Sequence, residues 1–349
     1  MAIKNRYEFM YYVSCTNANP NGDPDMGNTP RMDPETMRGY ITDVATKRRI
    51  RNYINMAYRN EDGSPMPGMD IIVQQSTNLN RHIARAREAA EAEDSAKMKN
   101  AVYAARQKAC ELFYDVRTFG AVMSTGANAG QVRGPVQITF AISKDPILPL
   151  DLSITRMAVA DKANGAKTAA EFLKWEQEQP EDKLRTMGRK QLIPFGLYEV
   201  RGFISANLAA ETGFDDADLK ALFEAILNMY EHDRSASKGE MAVVSPLIIF
   251  QHTGTDTNAE QRAREARLGC APAHKLFELV RVQKKAGVES PRSYRDYDAV
   301  IHLEGLKQYP GVRVGFQKYS GKHAGQLSNP FDEITWDRLP AEEDWFRAE

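Results

Sequence analysis

The chain has 349 residues, enough for one elaborated domain or two, and its charged and hydrophobic fractions of 27% and 42% are ordinary for a soluble globular protein. A net charge of −1 excludes a polyanionic partner held by overall attraction, so such a partner needs a local basic patch. The sequence lacks the patterns of a signal peptide and of a membrane span, and its three widely spaced cysteines predict reduced thiols. We therefore expect a cytoplasmic protein without a membrane partner.

A strand is predicted over residues 7–15, where apolar residues alternate at a period of two. One face of this strand would point into the core and carries Tyr7, Phe9, Tyr11, Val13 and Cys15. Met10 and Tyr12 make the second face too apolar for simple exposure to solvent. They would stack on nucleic-acid bases or lie under another segment of the chain, and we favour the second.

A basic helix is predicted from Arg38 to residue 58, after a loop dense in turn formers. Ile50, Tyr53, Ile54 and Ala57 would form its apolar side. Lys47, Arg48 and Arg51 would share another face, whereas Arg49 would point elsewhere. Stacked cations repel one another, and an anion over them would relieve the repulsion. A solvated basic face is the alternative.

The loop before this helix contains Asn17–Gly22, whose spacing nearly matches a calcium-binding loop. The match fails because the first ligand is Asn17, Pro20 interrupts the loop, and Asn28 stands where a bidentate glutamate is required. We therefore expect no calcium here. The loop would supply amide groups and backbone N–H groups to a ligand, or would simply turn the chain.

Two long stretches interrupt the sheet pattern. In the first, Arg81–Tyr114 lacks Gly and Pro and predicts one long helix or two close ones that project from the core. The small-residue loop Ser124–Gly130 follows; it would let a backbone or a phosphate approach closely, or serve as a plain connector. In the second, residues 145–194, the sequence shows no regular helix or strand period. This favours an arm that begins at Ile154–Met157 and ends at Met187–Lys190, and part of the arm would be a disordered loop.

The elements predicted most clearly follow the order βαββαβ, which is typical of the ferredoxin-like unit and of the RNA-recognition fold. They are the strands 7–15, 136–143, 197–205 and 243–250 and the helices 38–58 and 215–231. Phe140 and Ile142 would point into the core from the second strand, Asp215 or Asp216 would cap the second helix, and Pro246 indicates an edge strand or a bulge. Further strands are predicted at 276–282 and 312–316, with a helix at 292–308 between them. The expected fold class is α+β.

No constellation in the sequence indicates catalysis or a metal site. His232 and Asp233 form a dyad without a second pair of ligands, and no motif marks a nucleophile. Asp33 is the one carboxylate next to the predicted anion site. It could align water for RNA cleavage, but an N-cap or a bond to Arg31 is the preferred interpretation.

Seven motifs occur in order along most of the chain: Asn19–Asp23, Gly39–Arg51, Asp115–Gly120, Gly134–Gln137, Ile154–Met157, Pro194–Tyr198 and Met229–Ser235. On these motifs rests a resemblance to a CRISPR-associated RAMP protein, the repeated backbone subunit of a type I-C Cascade complex. It implies a single elaborated domain over 1–349: an RNA-recognition palm, a helical finger segment at 59–130 and a thumb arm at 150–196. Such subunits stack as a helical filament along guide RNA (crRNA).

The resemblance implies a non-catalytic subunit without a cofactor, whose partners are crRNA, target DNA in the assembled complex, other Cascade subunits and further copies of itself. Guide phosphates would lie on a basic groove, a residue of the thumb arm would displace a base, and base pairing would read the sequence. The expected RNA-binding residues are Asn21, Arg31, Lys47, Arg48, Arg51, Ser124, Thr125, Gly126, Arg133, Arg156, Met157, Met187, Arg189 and Lys190. Met157 and Met187 are the candidate wedges.

Two alternatives stay open at the level of sequence. Type III relatives cleave target RNA with a loop aspartate, and Asp33 has the matching position. A sequence-specific single-strand binder acting as a monomer is the other. The basic stretch Arg38–Arg59 and the acidic tail Phe331–Glu349 also favour head-to-tail association, with a frayed tail as the alternative.

Overall fold

A computed structural model describes residues 1–93, 101–319, 333–340 and 345–349. Most acids of the tail on which head-to-tail association was predicted, Asp332 and residues 342–344, lie outside these ranges. Within them the chain is a mixed α+β structure with a large antiparallel sheet, which confirms the predicted fold class. No helix of the described ranges has the length and apolar character needed to cross a bilayer. The division into a palm with two insertions stays a prediction.

The structure contains the following strands: β1 Tyr7–Ala18, β2 Gly22–Asp23, β3 Thr29–Pro30, β4 Arg38–Ile41, β5 Gly120–Met123, β6 Gly130–Arg133, β7 Val136–Ile138, β8 Ala141–Pro146, β9 Leu150–Arg156, β10 Thr186–Ile204, β11 Glu240–Val243, β12 Leu247–His252, β13 Val280–Lys284, β14 Tyr297–Ile301, β15 Val312–Gln317, β16 Thr335–Trp336 and β17 Phe346–Ala348.

Its α-helices are α1 Asp43–Ala57, α2 Leu79–Glu93, α3 Ala101–Leu112, α4 Tyr114–Phe119, α5 Ala169–Gln177, α6 Ala206–Thr212, α7 Asp216–His232, α8 Ala259–Leu268, α9 Ala273–Glu278 and α10 Leu303–Leu306. Short 3₁₀ helices lie at Pro24–Met26, Ala163–Gly165, Glu181–Leu184 and Tyr294–Asp296.

The main sheet has the strand order β16-β15-β12-β1-β10-β8-β4. The four strands of the predicted βαββαβ series are, in chain order, β1, β8, β10 and β12. In the sheet they lie side by side as β12-β1-β10-β8, which is the order fourth, first, third, second. All neighbouring pairs along this path are antiparallel. Helices α1 and α7 cover one face, where Tyr7, Phe9, Tyr11, Ile50 and Leu222 share one core. The name RNA-recognition fold stays a prediction.

The opposite face of the sheet is also buried. Met10, Tyr12 and Phe250 share a second core with the three-stranded sheet β13-β14-β17 and with Trp345. The rings of Tyr12 and Trp345 meet edge to face, with centroids 5.6 Å apart. This confirms the expectation that another segment covers Met10 and Tyr12. RNA-recognition modules stack bases on the open face of their sheet, and here that face is closed by protein.

The basic helix begins later than predicted. Arg38–Ile41 is strand β4, which pairs with β8, and the Gly39 N–H donates to the Ser143 hydroxyl at 2.9 Å. Helix α1 starts at Asp43, and the Thr42 hydroxyl caps it by accepting from the Ala45 N–H at 3.2 Å. The prediction of a helix over 38–42 is wrong because pairing with a distant strand outweighs local helix preference.

The strand predicted over 136–143 contains a β-bulge. Ile142 lies four positions after Ile138, whereas their partners Glu199 and Gly202 are three positions apart (142 − 138 = 4; 202 − 199 = 3). One extra residue moves every later side chain to the opposite face. Phe140 and Ile142, predicted to be buried, are therefore 48% and 41% exposed.

Four further predictions need correction or refinement. Leu276–Val282 is the end of α9 followed by β13, and the predicted helix at 292–308 is replaced by a 3₁₀ turn, β14 and α10. The buried residues Tyr297, Ala299 and Ile301 show the period of two that the helix prediction missed. Pro246 interrupts the strand predicted at 243–250, as its position indicated, and the Ser245 hydroxyl there accepts from the Tyr12 N–H at 2.9 Å. Asp215, one of the two predicted caps, is the N-cap of α7.

In the finger segment, helices α2 and α3 pack against each other and share a small core built around Ile72, Ile83 and Phe113. Two buried ion pairs join this segment to the main sheet layer. Arg117 donates two hydrogen bonds to the carboxylate of Asp218 on α7, at 2.8 and 2.6 Å. The second pair, on α1, belongs to the candidate site.

Candidate nucleic-acid interface

A polar groove of about 450 Å³ lies beside α1, between the asparagine-rich loop and the loop that follows α7. We call it the α1 groove. Its lining includes Asn19, Asn21, Arg48, Asn52, Gln75, Asp233 and Lys238. It brings together three of the motifs on which the resemblance rests, and one of them, Met229–Ser235, is far along the chain from the other two.

The asparagine-rich loop is held against the start of α1. The Asn21 side-chain oxygen accepts from both the N–H and the hydroxyl of Thr42, each at 3.0 Å. The Asn19 amide donates to the Asn28 carbonyl at 2.6 Å, and its buried oxygen has no hydrogen-bond partner among the described residues. Asn21, predicted to bind RNA, thus fixes the groove's wall through its side chain.

Arg49 joins the parts of the groove and was missed by the helix periodicity, which only pointed it away from its basic neighbours. Its guanidinium donates to the carbonyls of Pro20 at 3.0 Å and Ala45 at 3.2 Å, and it approaches Asp233 at 3.3 Å. It also lies over the Tyr230 ring at 5.2 Å. The sequence does contain its carboxylate partner, Asp233, in the motif Met229–Ser235. No local pattern in the sequence links that residue to Arg49.

Of the three cations predicted to share a face, two are already paired. The Lys47 ammonium lies 3.0 Å from Asp43, and the Arg51 guanidinium lies 2.8 Å from Asp115. Asp115 is fully buried and also accepts from the N–H groups of Ile72 and Val73 at 2.9 and 3.3 Å. These two carboxylates already offset part of the repulsion from which an anion was predicted, and the RNA-binding role of Lys47 and Arg51 stays a prediction.

Arg48 remains exposed on α1. Among the described residues it has no ionic partner, and it donates only to the Gln75 amide oxygen at 3.4 Å. Lys238, on the far side of the groove, pairs with Asp233, which Arg49 also contacts. Of the cations that line the groove, Arg49 and Lys238 share the single carboxylate of Asp233, so that with Arg48 the local charge is +2 (3 − 1). Together with the amide groups around Arg48, this charge suits a phosphate rather than a further cation.

Arg31 and Asp33 do not pair with each other. Arg31 lies 3.1 Å from Asp23. Asp33 accepts from the Thr36 hydroxyl at 2.6 Å and from the Glu35 N–H at 3.1 Å, and these bonds hold the pKa of its carboxyl below the ordinary value. Since Thr42 caps α1, Asp33 closes its own turn, which corrects both structural roles predicted for it.

Ser124, Thr125 and Gly126 form the turn between β5 and β6. The Thr125 hydroxyl donates to the Asn80 side-chain oxygen at 2.8 Å. Gly126 has a φ of +60°, and a Cβ there would lie 3.1 Å from the Asn80 side chain, so glycine suits the position. Arg133 is exposed on β6 and lines a different cavity from Arg48.

The thumb arm is a hairpin in which β9 pairs with the first part of β10. Arg156 lies opposite Thr186, Thr155 opposite Met187, and Leu152 opposite Lys190. Directly opposed residues share a face, so Met187 and Arg189 lie on one face and Arg156 and Lys190 on the other. Met157 and Met187 are 67% and 75% exposed.

Two of the three cations of the hairpin have partners. Arg156 donates to the Ala158 carbonyl at 2.9 Å and to the Thr186 hydroxyl at 3.3 Å, and Arg189 lies 3.3 Å from Asp151. Within the described ranges, no carboxylate pairs with Lys190. The hairpin thus combines exposed methionines with cations.

Residues 5–302 match the family model described as CRISPR-associated protein Cas7. The CRISPR-associated protein Cas7 of Haloferax volcanii is 43% identical to this chain over 54 residues, a stretch that spans only 16% of either protein. Similar solved structures include a chain of a CRISPR RNA-guided surveillance complex, pre-nicking, at 12% identity and a TM-score of 0.42, covering 76% of this chain and 84% of that one. A second such complex gives 12% identity and a TM-score of 0.38, with 78% and 80% covered.

Proposed function

This chain belongs to the Cas7 family of CRISPR-associated proteins, and on that premise we propose that it is a guide-RNA-binding backbone subunit of a Cascade surveillance complex, working in the cytoplasm. The observation that carries the proposal is the exposed, ionically unpaired Arg48 in a groove lined by amide side chains. A guanidinium can donate two parallel hydrogen bonds to a phosphate. Asn52, Gln75 and Lys238 supply further donors within the same groove.

Binding of this kind is independent of sequence. Contacts to phosphates position a nucleic acid but carry no base information, so the guide's bases stay free for target DNA. The closed outer face of the sheet supports this proposal, since Tyr12 and Phe250 are buried under β13-β14-β17 and cannot stack on bases. The guide would run along the protein surface through the α1 groove.

Repeated subunits would line up head to tail along the guide, as in the type I-C complex that the motifs resemble. A heterologous contact that does not close into a ring generates such a filament. The thumb arm would reach the guide of a neighbouring subunit and displace a base with Met157 or Met187, at an unstacking cost of a few kcal/mol. Arg156, Arg189 and Lys190 would hold the adjacent phosphates. Other Cascade subunits would cap the filament.

The experiment measures guide binding by Arg48→Ala at several salt concentrations. We expect the variant to bind every RNA sequence more weakly, and to a similar degree. The slope of the logarithm of affinity against the logarithm of salt concentration should decrease by about one, the value for one lost phosphate contact. Arg267→Ala, which removes an exposed cation from α8 outside the groove, is the control for net charge. An unchanged salt dependence in Arg48→Ala, or a loss confined to one RNA sequence, would contradict phosphate binding at this groove.

Cleavage of target RNA is the second candidate function, because Asp33 is a carboxylate of lowered pKa in the loop before α1. Both of its oxygens accept hydrogen bonds within their own turn, which favours a structural role and the non-catalytic proposal. The assembled complex with Mg²⁺ and target RNA tests this point. Cleavage that disappears in Asp33→Asn would establish the enzyme, and intact RNA with the unaltered protein would support the non-catalytic subunit.

A further inference from the structure

A second polar cavity, of about 410 Å³, lies between helix α3, strand β6 and the end of α6. We call it the finger cavity. No described residue lines both this cavity and the α1 groove. Its volume is sufficient for one nucleotide unit, and its walls come from three elements that are distant in the chain.

An aromatic ring and a guanidinium form one wall. Tyr103 and Arg106 lie one turn apart on α3, and the guanidinium carbon is 4.9 Å from the ring centroid. Tyr103 is 50% exposed. Rings and guanidinium planes are the surfaces on which single-stranded nucleic acids stack their bases, irrespective of base identity.

A cation and amide groups also line the cavity. Arg133 on β6 is exposed, and no described carboxylate pairs with it. Gln107 and Gln131 place side-chain amides in the same cavity. This combination offers a site for a phosphate beside donors and acceptors that can contact a sugar or a base edge.

The floor near the end of α6 carries an unsatisfied polar group. Thr212 is only 5% exposed, and its hydroxyl has no hydrogen-bond partner among the described residues. Glu211 also lines the cavity, so two arginines face one carboxylate, a local charge of +1 (2 − 1). The mixed polarity suits a nucleotide, with its acceptor and donor groups, better than a bare anion.

We propose that the finger cavity binds one nucleotide of a single-stranded nucleic acid, with the base on Tyr103 and Arg106 and a phosphate on Arg133. The proposal rests on the proposed function for the kind of ligand, and it assigns that ligand a second site apart from the α1 groove. Arg133, predicted from sequence to bind the guide, belongs to this second site rather than to the first.

Photocrosslinking of the full-length chain with hexauridylate containing 5-iodouridine, followed by peptide mass spectrometry, tests the proposal. We expect adducts on Tyr103 in the peptide from α3, and separate adducts on peptides of the α1 groove. Arg133→Ala and Thr212→Val should reduce the α3 adduct several-fold and leave the others unchanged. Arg267→Ala, outside both sites, should change neither.

Binding of the same oligonucleotide to an Arg48→Ala background isolates the second site. We expect Tyr103→Ala to weaken the remaining binding about tenfold, and Tyr103→Phe, which keeps the ring, to retain it. Adducts confined to the α1 groove would overturn this inference and leave the proposed function intact. Adducts on α3 that persist in Arg48→Ala, with none at the α1 groove, would support the inference and count against the groove. The absence of adducts at both sites would overturn both.

Discussion

Arg51 lies on α1 where it meets the finger segment, and its guanidinium contacts the buried carboxylate of Asp115 at 2.8 Å. Removing the arginine leaves an uncompensated buried charge, which costs about 3 kcal/mol or more. We therefore expect Arg51→Ala to lower the free energy of unfolding by about that amount, measured by urea denaturation. Arg48→Ala should change it by less than about 0.5 kcal/mol, because this side chain is exposed.

This difference decides how RNA binding is tested on α1. A double substitution of Lys47 and Arg51 would weaken binding through damage to the fold as well as through lost charge. Equal unfolding free energies for Arg51→Ala and Arg48→Ala would contradict the structural role of the Arg51–Asp115 pair. Arg48 alone gives an interpretable result.

The thiols give a residue-scale test of burial. Burial raises the pKa of Cys15 to about 12 and that of Cys110 to about 11. At pH 8 the thiolate fraction of Cys15 is then about one in ten thousand, whereas about a tenth of an unfolded thiol with a pKa near 9 is ionised. We expect both cysteines to resist iodoacetamide until the chain unfolds. Modification of either one in the folded protein, located by mass spectrometry, would contradict this burial.

The same shifts have a consequence for stability. A thiol whose pKa is raised in the folded state contributes stability that is fully present below its unfolded pKa near 9 and is lost as pH rises toward the folded value. The protein should therefore lose stability between about pH 9 and pH 12. Cys15→Ala should reduce the part of that loss which depends on this thiol.

At the residue scale, periodicity predicted the buried face of α1 but not the partners of its cations. Ile50, Tyr53 and Ile54 are buried as the wheel indicated. Asp115 and Asp233, which bind Arg51 and Arg49, come from elements far along the chain. A period in the sequence reports which side of a helix is apolar, and it carries no information on which distant carboxylate will lie opposite a cation.

At the element scale, the helix predicted over 38–42 and the continuous strand predicted over 139–142 were wrong for the same reason: a local sequence pattern carries no information on distant partners. The strict alternation from Val136 to Ile142 indicated one continuous strand, but a bulge of one residue turned Phe140 and Ile142 outward. The exposed Phe140 ring stacks on Tyr40 of β4, with centroids 5.8 Å apart. Bulges depend on how two strands meet, so a single strand's pattern cannot predict them.

The thumb arm provides the element-scale prediction. Between residues 157 and 185 only Ala163 is buried, and the flanking residues Arg156 and Thr186 are paired. Replacing 157–185 by a two-residue hairpin turn should therefore leave the melting temperature within a few degrees of its original value. We expect the shortened chain to bind RNA but to lose ordered multimers, as measured by light scattering.

A matched control keeps the arm and changes Met187→Ala and Met157→Ala. If the methionines displace bases, this variant should still form multimers. Reagents that modify unstacked bases should then modify its guide less than the guide of the unaltered protein. Ordered multimers from the shortened chain would contradict a role for the arm in assembly.

At the scale of the whole molecule, the central strands β1 and β12 are buried on both faces, and this arrangement determines where RNA can bind. Phe250 lies in the second core beneath the three-stranded sheet. We expect Phe250→Leu to lower the free energy of unfolding by about 1 kcal/mol through lost packing. Guide affinity of the folded variant should not change, and a large loss of affinity with intact stability would indicate that the sheet face does contact RNA.

The order of the central strands shows what could be predicted at this scale. The strands and helices placed in the series βαββαβ exist as elements, and the α+β class followed from them. The C-terminal layer was not predicted as a cover for the sheet, because β14 lies where a helix over 292–308 was predicted and β17 has only three residues. Only the apolar character of Met10 and Tyr12 indicated that something must lie over them.

Native mass spectrometry of the chain assembled on two guides of different length tests the central claim most directly. Subunits that bind the phosphate backbone at regular intervals should be present in a number that rises in proportion to guide length, whatever the guide's sequence. A single protomer on both guides, or a number that depends on sequence rather than on length, would contradict the account.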